Sequence, residues 1–316
     1  MSEPRQADYE YSLTLPATPD RVWAAWTDAA ALRSWFAESA EVTAEVGGAF
    51  RFWGRHTLGT PSAEEATQRL ERVEAPGVLA FAWTWCGVST RVELSLEAEE
   101  WKPWPMGSDP PRRAPQAGCK LTVRQSFEGT LPFPKPENLV DDHWRLVFGN
   151  LFSHLEGEEP VLPDYGAETS EVRHSLYVAA PPAAVFRALT EPAMLNRWIA
   201  SDARVDARVG GGIDLGWGGC GSSEQGEPAG DELALKILAY EPDRLLTLSW
   251  PDWRGQADVP DQEISWRLEP EGEGTRVDFA HTGFVRVVDR SDYQQGWAGF
   301  LEGLVHVASE LSPASA

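Results

Sequence analysis

Residues 18–36 read TPDRVWAAWTDAAALRSWF, and residues 181–199 read PPAAVFRALTEPAMLNRWI. Laid over one another at a constant offset, they align Val22 with Val185, Trp23 with Phe186, Trp26 with Leu189 and Thr27 with Thr190. Leu32 then meets Leu195, Trp35 meets Trp198 and Phe36 meets Ile199. The same offset carries Val46-Gly47-Gly48 onto Val209-Gly210-Gly211. One offset holding over two separated blocks marks an internal duplication. Further on, small insertions intervene. Pro76 to Trp83 resembles Pro242 to Trp250, and Trp144 on a late helix resembles Trp297.

The chain has 316 residues, a length that suits two domains of roughly 100–200 residues each. The stretch GEEPVLPDYGAETS at 157–170 is rich in Pro, Gly and acid and has no periodicity, so it reads as a linker. The expected division is a first domain over 1–158, a linker over 159–170 and a second domain over 171–316.

Both halves run in one order. Alternating strands open them at Tyr9–Leu15 and Val172–Ala179. Pro19 and Pro182 suit a first helical turn, where a missing N–H costs nothing. Two short helices follow, the second ending at Trp35 or Trp198. Period-two segments come after the Gly-Gly pairs; in the second half they are Asp231–Tyr240, Arg244–Trp250, Gln262–Glu269 and Thr275–His281. Leu246, Leu248 and Trp250 share one face, as do Ile264, Trp266 and Leu268, and Val277, Phe279 and His281. Glu271-Gly272-Glu273-Gly274 fits a hairpin turn. A long amphipathic helix closes each half, with Val140, Trp144, Val147, Leu151 and Leu155 in the first. Tyr293, Trp297, Phe300, Leu301, Leu304, Ala308 and Leu311 form its counterpart in the second. The fold class is therefore α+β, each sheet burying one face under its closing helix.

Composition narrows the function. Lys and Arg number 27 against 49 Asp and Glu, a net charge of −22 that both halves share. Nucleic acid and anionic membrane both require a basic face, so neither is an expected partner. No run of 18 apolar residues is present and MSEPRQADYEYSL has no signal-peptide pattern, so a soluble cytoplasmic protein is expected. Three widely spaced cysteines, Cys86, Cys119 and Cys220, fit a reducing compartment without disulfides.

The ordered set VWxAWTDxxxLRSWF, VGGxFRF, PxxLxFxW and a late Trp-bearing helix resembles the SRPBCC, or START-like, superfamily. Its nearest branch is the domain named after the activator of heat-shock protein 90 ATPase. The second half carries the likeness further, in EPDRLLTLSW, in HTGF at His281–Phe284 and in GWAGFLEGL at Gly296–Leu304; the first half has Gln125-Ser126-Phe127 where HTGF stands. The resemblance implies two tandem helix-grip domains, birch-pollen-allergen-like, each a curved antiparallel sheet wrapped around a long C-terminal helix. It implies a sheet–helix cavity in a family that runs from lipid and hormone carriers to polyketide cyclases. It also raises chaperone contact, although no separate chaperone-binding segment accompanies the repeat.

Tryptophan is the compositional excess, with 15 in the chain. Trp53, Trp83, Trp85, Trp217, Trp250 and Trp266 on strands, Trp297 on the closing helix and His281 are the expected lining of a cavity for a hydrophobic or aromatic small molecule. Trp23, Trp26, Trp35 and Trp198 read as core. His281 is a polar anchor or proton carrier on that face, or a hydrogen-bonded structural residue; His143 on the first closing helix is a weaker candidate. A cyclase- or hydratase-like enzyme using His281 or a pocket acid is one alternative, and a chaperone-interaction module is another. No catalytic residue is assigned: GxSxG is absent, Cys220 lacks a neighbouring base, and among the strand carboxylates Asp214, Glu263 and Asp278 no pair stands out, Glu263 and Asp278 alternating with apolar residues as a solvent-facing position would. No metal site or cofactor is expected either. Gly216 to Gly221 spells GxGxxG, but loop-forming SSEQGEPAGD follows where a dinucleotide fold needs a helix. The Pro-rich insertion Trp101–Ala117 reads as a lid, a partner contact or a mobile hairpin extension.

Overall fold

In a computed structural model, which describes residues 7–103, 113–132, 136–217, 234–252 and 259–311, each half begins with a strand that pairs with the last strand of its own sheet. β1 (Ala7–Leu15) runs antiparallel to β7 (Gln116–Phe127) from Ala7 opposite Phe127 to Leu15 opposite Cys119. Between them come α1 (Pro19–Thr27), α2 (Ala29–Trp35), β2 (Ser39–Val42), β3 (Phe50–Trp53), β4 (Arg69–Glu74), β5 (Val78–Trp85) and β6 (Val88–Trp101). The main sheet has the order β1-β7-β6-β5-β4, and α3 (Pro136–Glu156) closes the unit.

The second half repeats the plan with β8 (Glu171–Val178), α4 (Pro182–Thr190), α5 (Pro192–Leu195), β9 (Arg204–Val205), β10 (Gly212–Asp214), β11 (Leu235–Glu241), β12 (Leu245–Trp250), β13 (Gln262–Glu271), β14 (Gly274–Thr282) and α6 (Val287–Glu310). Its sheet is β8-β14-β13-β12-β11-β10-β9. The two short strands of the first half instead form a separate β2–β3 ribbon, tied to β4 by a single bridge between Ala49 and Arg69. Among the described residues, those up to 103 together with 113–167 form one compact unit, and those from 168 onward a second.

The duplication extends to individual hydrogen bonds. Trp35 Nε1 donates to the Ala25 carbonyl at 3.2 Å, and Trp198 Nε1 to the Ala188 carbonyl at 3.0 Å. Thr27 Oγ1 donates to the Trp23 carbonyl, and Thr190 Oγ1 to the Phe186 carbonyl. Gly47 N–H reaches the Leu70 carbonyl at 3.0 Å, and Gly210 N–H the Ile237 carbonyl at 2.9 Å. Each of those last strands then carries a register shift, between Leu70 and Arg72 or between Ile237 and Ala239, the signature of a β-bulge that bends the sheet.

The copies differ in their second helix. Asp28 caps α2 by accepting from Ala31 N–H at 2.7 Å, and α2 runs to Trp35 as expected. The second copy has Glu191 at that cap, where its carboxylate accepts from Arg187 rather than capping the helix, and α5 stops at Leu195 rather than reaching Trp198. Asn196 is its C-cap, with a side chain that accepts from Ala203 N–H at 2.8 Å, and the chain continues in turn-type bonds from Trp198 and Ile199 back to Leu195.

Packing follows the period-two pattern. Leu246, Leu248 and Trp250, then Ile264, Trp266 and Leu268, then Val277, Phe279 and His281 are all buried on one face, while Glu263 and Arg267 on the alternating positions are exposed. Trp297, Leu301, Leu304 and Ala308 of α6 are buried in the same core. At about 1.5–3 kcal/mol for each large apolar side chain removed from water, this layer is the main stabilising term of the unit. The first sheet does the same with Phe81, Trp83, Trp85, Val92, Leu94, Leu121 and Val123 under Trp144, Phe148 and Leu151 of α3. Each half is thus an α+β helix-grip unit. Trp23 is only half-buried, a correction to its reading as core.

The β13–β14 hairpin pairs Glu271 with Gly274 across a two-residue turn in which Gly272 has φ +60°. A side chain at that angle is strained, so Gly272→Ala is expected to lower stability by about 1 kcal/mol. Urea unfolding with an unchanged midpoint would contradict this reading of the turn.

Candidate functional site

Beneath the second sheet, β12, β13, β14 and α6 bring His281, Gln262, Trp250, Tyr293 and Trp297 together. Gln262 is opposite Trp250 in the β12–β13 ladder, and His281 is opposite Ile264, two residues further along β13. That register places Gln262 and His281 on one buried face. Trp297 Nε1 donates to His281 Nδ1 at 2.9 Å, and His281 Nε2 lies 2.7 Å from Gln262 Oε1. An indole N–H can only donate, so Nδ1 is the bare nitrogen and Nε2 carries the proton that Gln262 accepts. Both nitrogens of the ring are therefore used inside the protein. Burial pushes its pKa down to about 3, so the imidazole is neutral across the physiological range.

Aromatic rings surround this polar pair. Phe284 lies 4.4 Å and Tyr293 4.7 Å from the His281 ring centre, and Trp250 Nε1 donates to Tyr293 Oη at 3.0 Å. The run of rings continues outward. Trp217 stands 6.1 Å edge-on to Trp250 and stacks on Phe300 at 5.7 Å with the planes 21° apart. Its indole donates to the Ile199 carbonyl at 2.7 Å, yet the residue is 39% exposed. A run of packed rings thus extends from Trp217 at the surface to the buried His281–Gln262 pair.

The first domain builds the corresponding network from other residues. Gln125 occupies the position of His281, opposite Val92, and Thr90 occupies that of Gln262, opposite Phe127. Trp144 Nε1 donates to Gln125 Oε1 at 2.8 Å, Gln125 Nε2 to Thr90 Oγ1 at 3.2 Å, and Thr90 Oγ1 to the Trp83 carbonyl at 2.9 Å. The helix tryptophan keeps its role in both copies, and the strand residue that accepts from it has changed.

The expected lining residues divide accordingly. Trp250, Trp266, Trp297 and His281 meet in the second core, with Trp217 at its margin; Trp266 packs against Phe279 and Trp297. Trp83 and Trp85 lie side by side in the first core, 5.7 Å apart. Trp53 is the correction. On β3 the inward positions belong to Phe50 and Phe52, so Trp53 shares the opposite face with Arg51, whose guanidinium sits 5.3 Å over its ring. Gln262 was missed, although its sequence signal was plain: a polar residue in phase with Ile264 and Trp266 on a buried strand face. Of the insertion Trp101–Ala117, Trp101 is buried under the Arg113 guanidinium, which also pairs with Glu156; residues 104–112 lie outside the described residues. Cys220 and the last part of the GxGxxG stretch lie outside them as well. The Cys86 and Cys119 thiols are pushed up to about 11 by burial, away from nucleophile chemistry at neutral pH.

Among the described residues no three His, Cys, Asp or Glu side chains gather where they could hold an ion, and no helix is long and apolar enough to cross a membrane.

No curated protein matches the chain. Solved structures do. MLL2253 from Mesorhizobium loti is 21% identical over 45% of this chain and 98% of its own, with a TM-score of 0.36. CalU16 from Micromonospora echinospora is 29% identical over 44% of this chain and 76% of its own, with a TM-score of 0.33. DynU16, a protein in the dynemicin biosynthetic locus, is 19% identical over 96% of this chain and 98% of its own, with a TM-score of 0.37. The model of one family matches twice, over residues 16–102 and 179–309, one match within each helix-grip unit. On those two matches, the chain belongs to the family of activator of Hsp90 ATPase homolog 1-like proteins.

Proposed function

We propose that this protein binds a hydrophobic or aromatic small molecule between the sheet and closing helix of its second domain, without catalysing its conversion. The observation that carries the reading is the line of rings from Trp217, 39% exposed, through Trp250 and Tyr293 to the His281–Gln262 pair. Apolar walls with a few fixed polar atoms are the common make-up of small-molecule sites. A catalytic role for His281 has less support, because a proton carrier needs a nitrogen facing its substrate and both of this ring's nitrogens are bonded within the protein.

Tryptophan fluorescence titration against fatty acids and aromatic metabolites tests the reading, with quenching and a raised melting temperature expected for at least one class. Trp217→Ala is expected to weaken that binding up to about tenfold, the worth of one aromatic contact. Its melting temperature should stay near that of the parent, since the ring is partly solvated. A panel without any quenching or thermal shift would remove the proposal. Family membership favours a second reading, contact with a heat-shock protein 90 chaperone. A pull-down with purified chaperone that returns no complex would dispose of it.

A further inference from the structure

The stretch between the two repeats is laid along the first of them. α3 ends in a turn where Gly157 takes φ +78° and Glu158 N–H bonds back to the Ser153 carbonyl at 2.9 Å. The chain then meets the loop over 54–67, which joins β3 to β4. Tyr165 N–H donates to the Arg55 carbonyl at 2.8 Å, and His56 Nδ1 lies 2.6 Å from the Pro163 carbonyl. A carbonyl only accepts, so Nδ1 carries the proton and donates. Pro163 is buried, and Val161 and Leu162 are half-buried. Asp164 turns the chain after this contact, its carboxylate accepting from Gly166 N–H at 3.1 Å.

The loop that receives this stretch is itself fastened to the domain. Glu38 accepts from the Arg55 backbone N–H at 3.1 Å and pairs with the Arg55 side chain. Gly54 N–H donates to the Thr60 carbonyl and Thr57 N–H to that of Gly54, each at 3.0 Å. Thr60 Oγ1 accepts from the Trp83 indole at 3.0 Å, and Thr57, Leu58 and Thr60 are all buried. Gly59, at φ +72°, sits where a Cβ would lie 2.5 Å from the Cys86 nitrogen in the β5–β6 turn. A set of bonds thus leads from the Pro163 carbonyl through His56 and Thr60 to Trp83 in the first core. Ordering a segment costs conformational entropy at every residue, so a connection stays down only where its contacts offset that cost.

We propose that residues 161–167 are a strap on the first domain. They hold the loop over 54–60 against the β5–β6 turn, and strap and loop open together. The passage from one domain to the next then falls at Glu168. Beyond it, Thr169 Oγ1 accepts from Glu171 N–H at 3.3 Å and the Ser170 carbonyl from Phe284 N–H at 3.1 Å, both within the second unit. Such coupling is reciprocal: a change that frees the strap loosens the loop, and a change in the loop frees the strap. Whatever lifts the strap therefore acts on the Trp83 end of the first core. This device is independent of the ligand read at Trp217 in the second domain.

Hydrogen–deuterium exchange of the full chain, followed on fragments by mass spectrometry, reports such local opening. In the parent, fragments covering 161–167 and 54–60 should exchange more slowly than unstructured peptides of the same sequence. His56→Ala removes the side-chain donor and should speed both by about three- to tenfold, the worth of one hydrogen bond. Gly59→Ala acts at the Cys86 contact rather than at the strap, and it too should speed both. Fragments from β13 and β14 serve as the unchanged reference. If Gly59→Ala unfolds the first domain by circular dichroism, His56→Ala decides alone. A parent fragment over 161–167 that exchanges at the unstructured rate would overturn the proposal. So would a folded variant of either kind in which the two segments do not speed up together.

Discussion

Trp297→Ala is expected to unfold the second domain or leave it barely stable at room temperature. Removing a buried Trp side chain costs about 3–5 kcal/mol, and Trp297 is 2% exposed with its ring 4.5 Å from Phe279 and 5.4 Å from Trp250. The change also strips His281 Nδ1 of its donor, and a buried acceptor left without a partner costs about 1–3 kcal/mol more. Together these approach the whole stability of an ordinary domain, about 5–15 kcal/mol. Trp297→Phe separates the two contributions, because it keeps most of the ring packing and loses the N–H. Urea unfolding monitored by circular dichroism should place Trp297→Phe between the parent and Trp297→Ala. A stable Trp297→Ala protein with the parent's unfolding midpoint would show that the helix–sheet layer is held elsewhere.

Acid should weaken both domains well before their carboxylates titrate. Burial holds the folded-state pKa of His143 and of His281 at about 3, against about 6.5 for an unfolded chain. Below pH 6.5 the unfolded state therefore binds protons that the folded state refuses. Stability fully present above pH 6.5 is lost as pH falls towards 3, at up to about 1.4 kcal/mol per pH unit for each ring. Between pH 7 and pH 5.5 each domain should lose on the order of 1–1.5 kcal/mol. Carboxylates whose pKa is lowered by arginine partners and hydrogen bonds, such as Glu74 and Glu171, start from ordinary values near 4.5 and act below this window. Urea midpoints measured at pH 7.0 and 5.5 check the sign and size. His281→Gln should flatten the dependence of the second domain and leave that of the first. Midpoints that do not move over this range would show that neither ring is held neutral by the fold.

Much of the architecture was legible because it rests on local patterns. The constant offset, the Pro-led helix starts, the alternation in 245–250, 262–269 and 275–281, and the closing stripes identify elements and their buried faces. The early end of α5 was not legible, since Pro192 and Glu191 promise the same helix start as the first copy while the capping bond that Asp28 makes there is missing. Trp53 was misplaced because aromatic identity was read without strand phase; Phe50 and Phe52 hold the inward positions of the same strand. The site was legible only as a set of rings on faces. Its polar pair needed the β12–β13–β14 register, which sets Gln262 beside His281.

Sequence by itself determined that this protein is two copies of one α+β unit and which face of each strand and helix is apolar, because periodicity and repetition are properties of neighbouring residues. Tertiary structure alone decided what those faces meet. Trp144 and Trp297 keep the same place in the repeat, yet one donates to an amide and the other to an imidazole. His143 and Gly296 likewise share a position, and only the packing of the first domain leaves an imidazole there enclosed by indoles with both nitrogens unbonded. A hydrogen-bond partner is set by strand register and helix rotation, and these follow from the packed core as a whole.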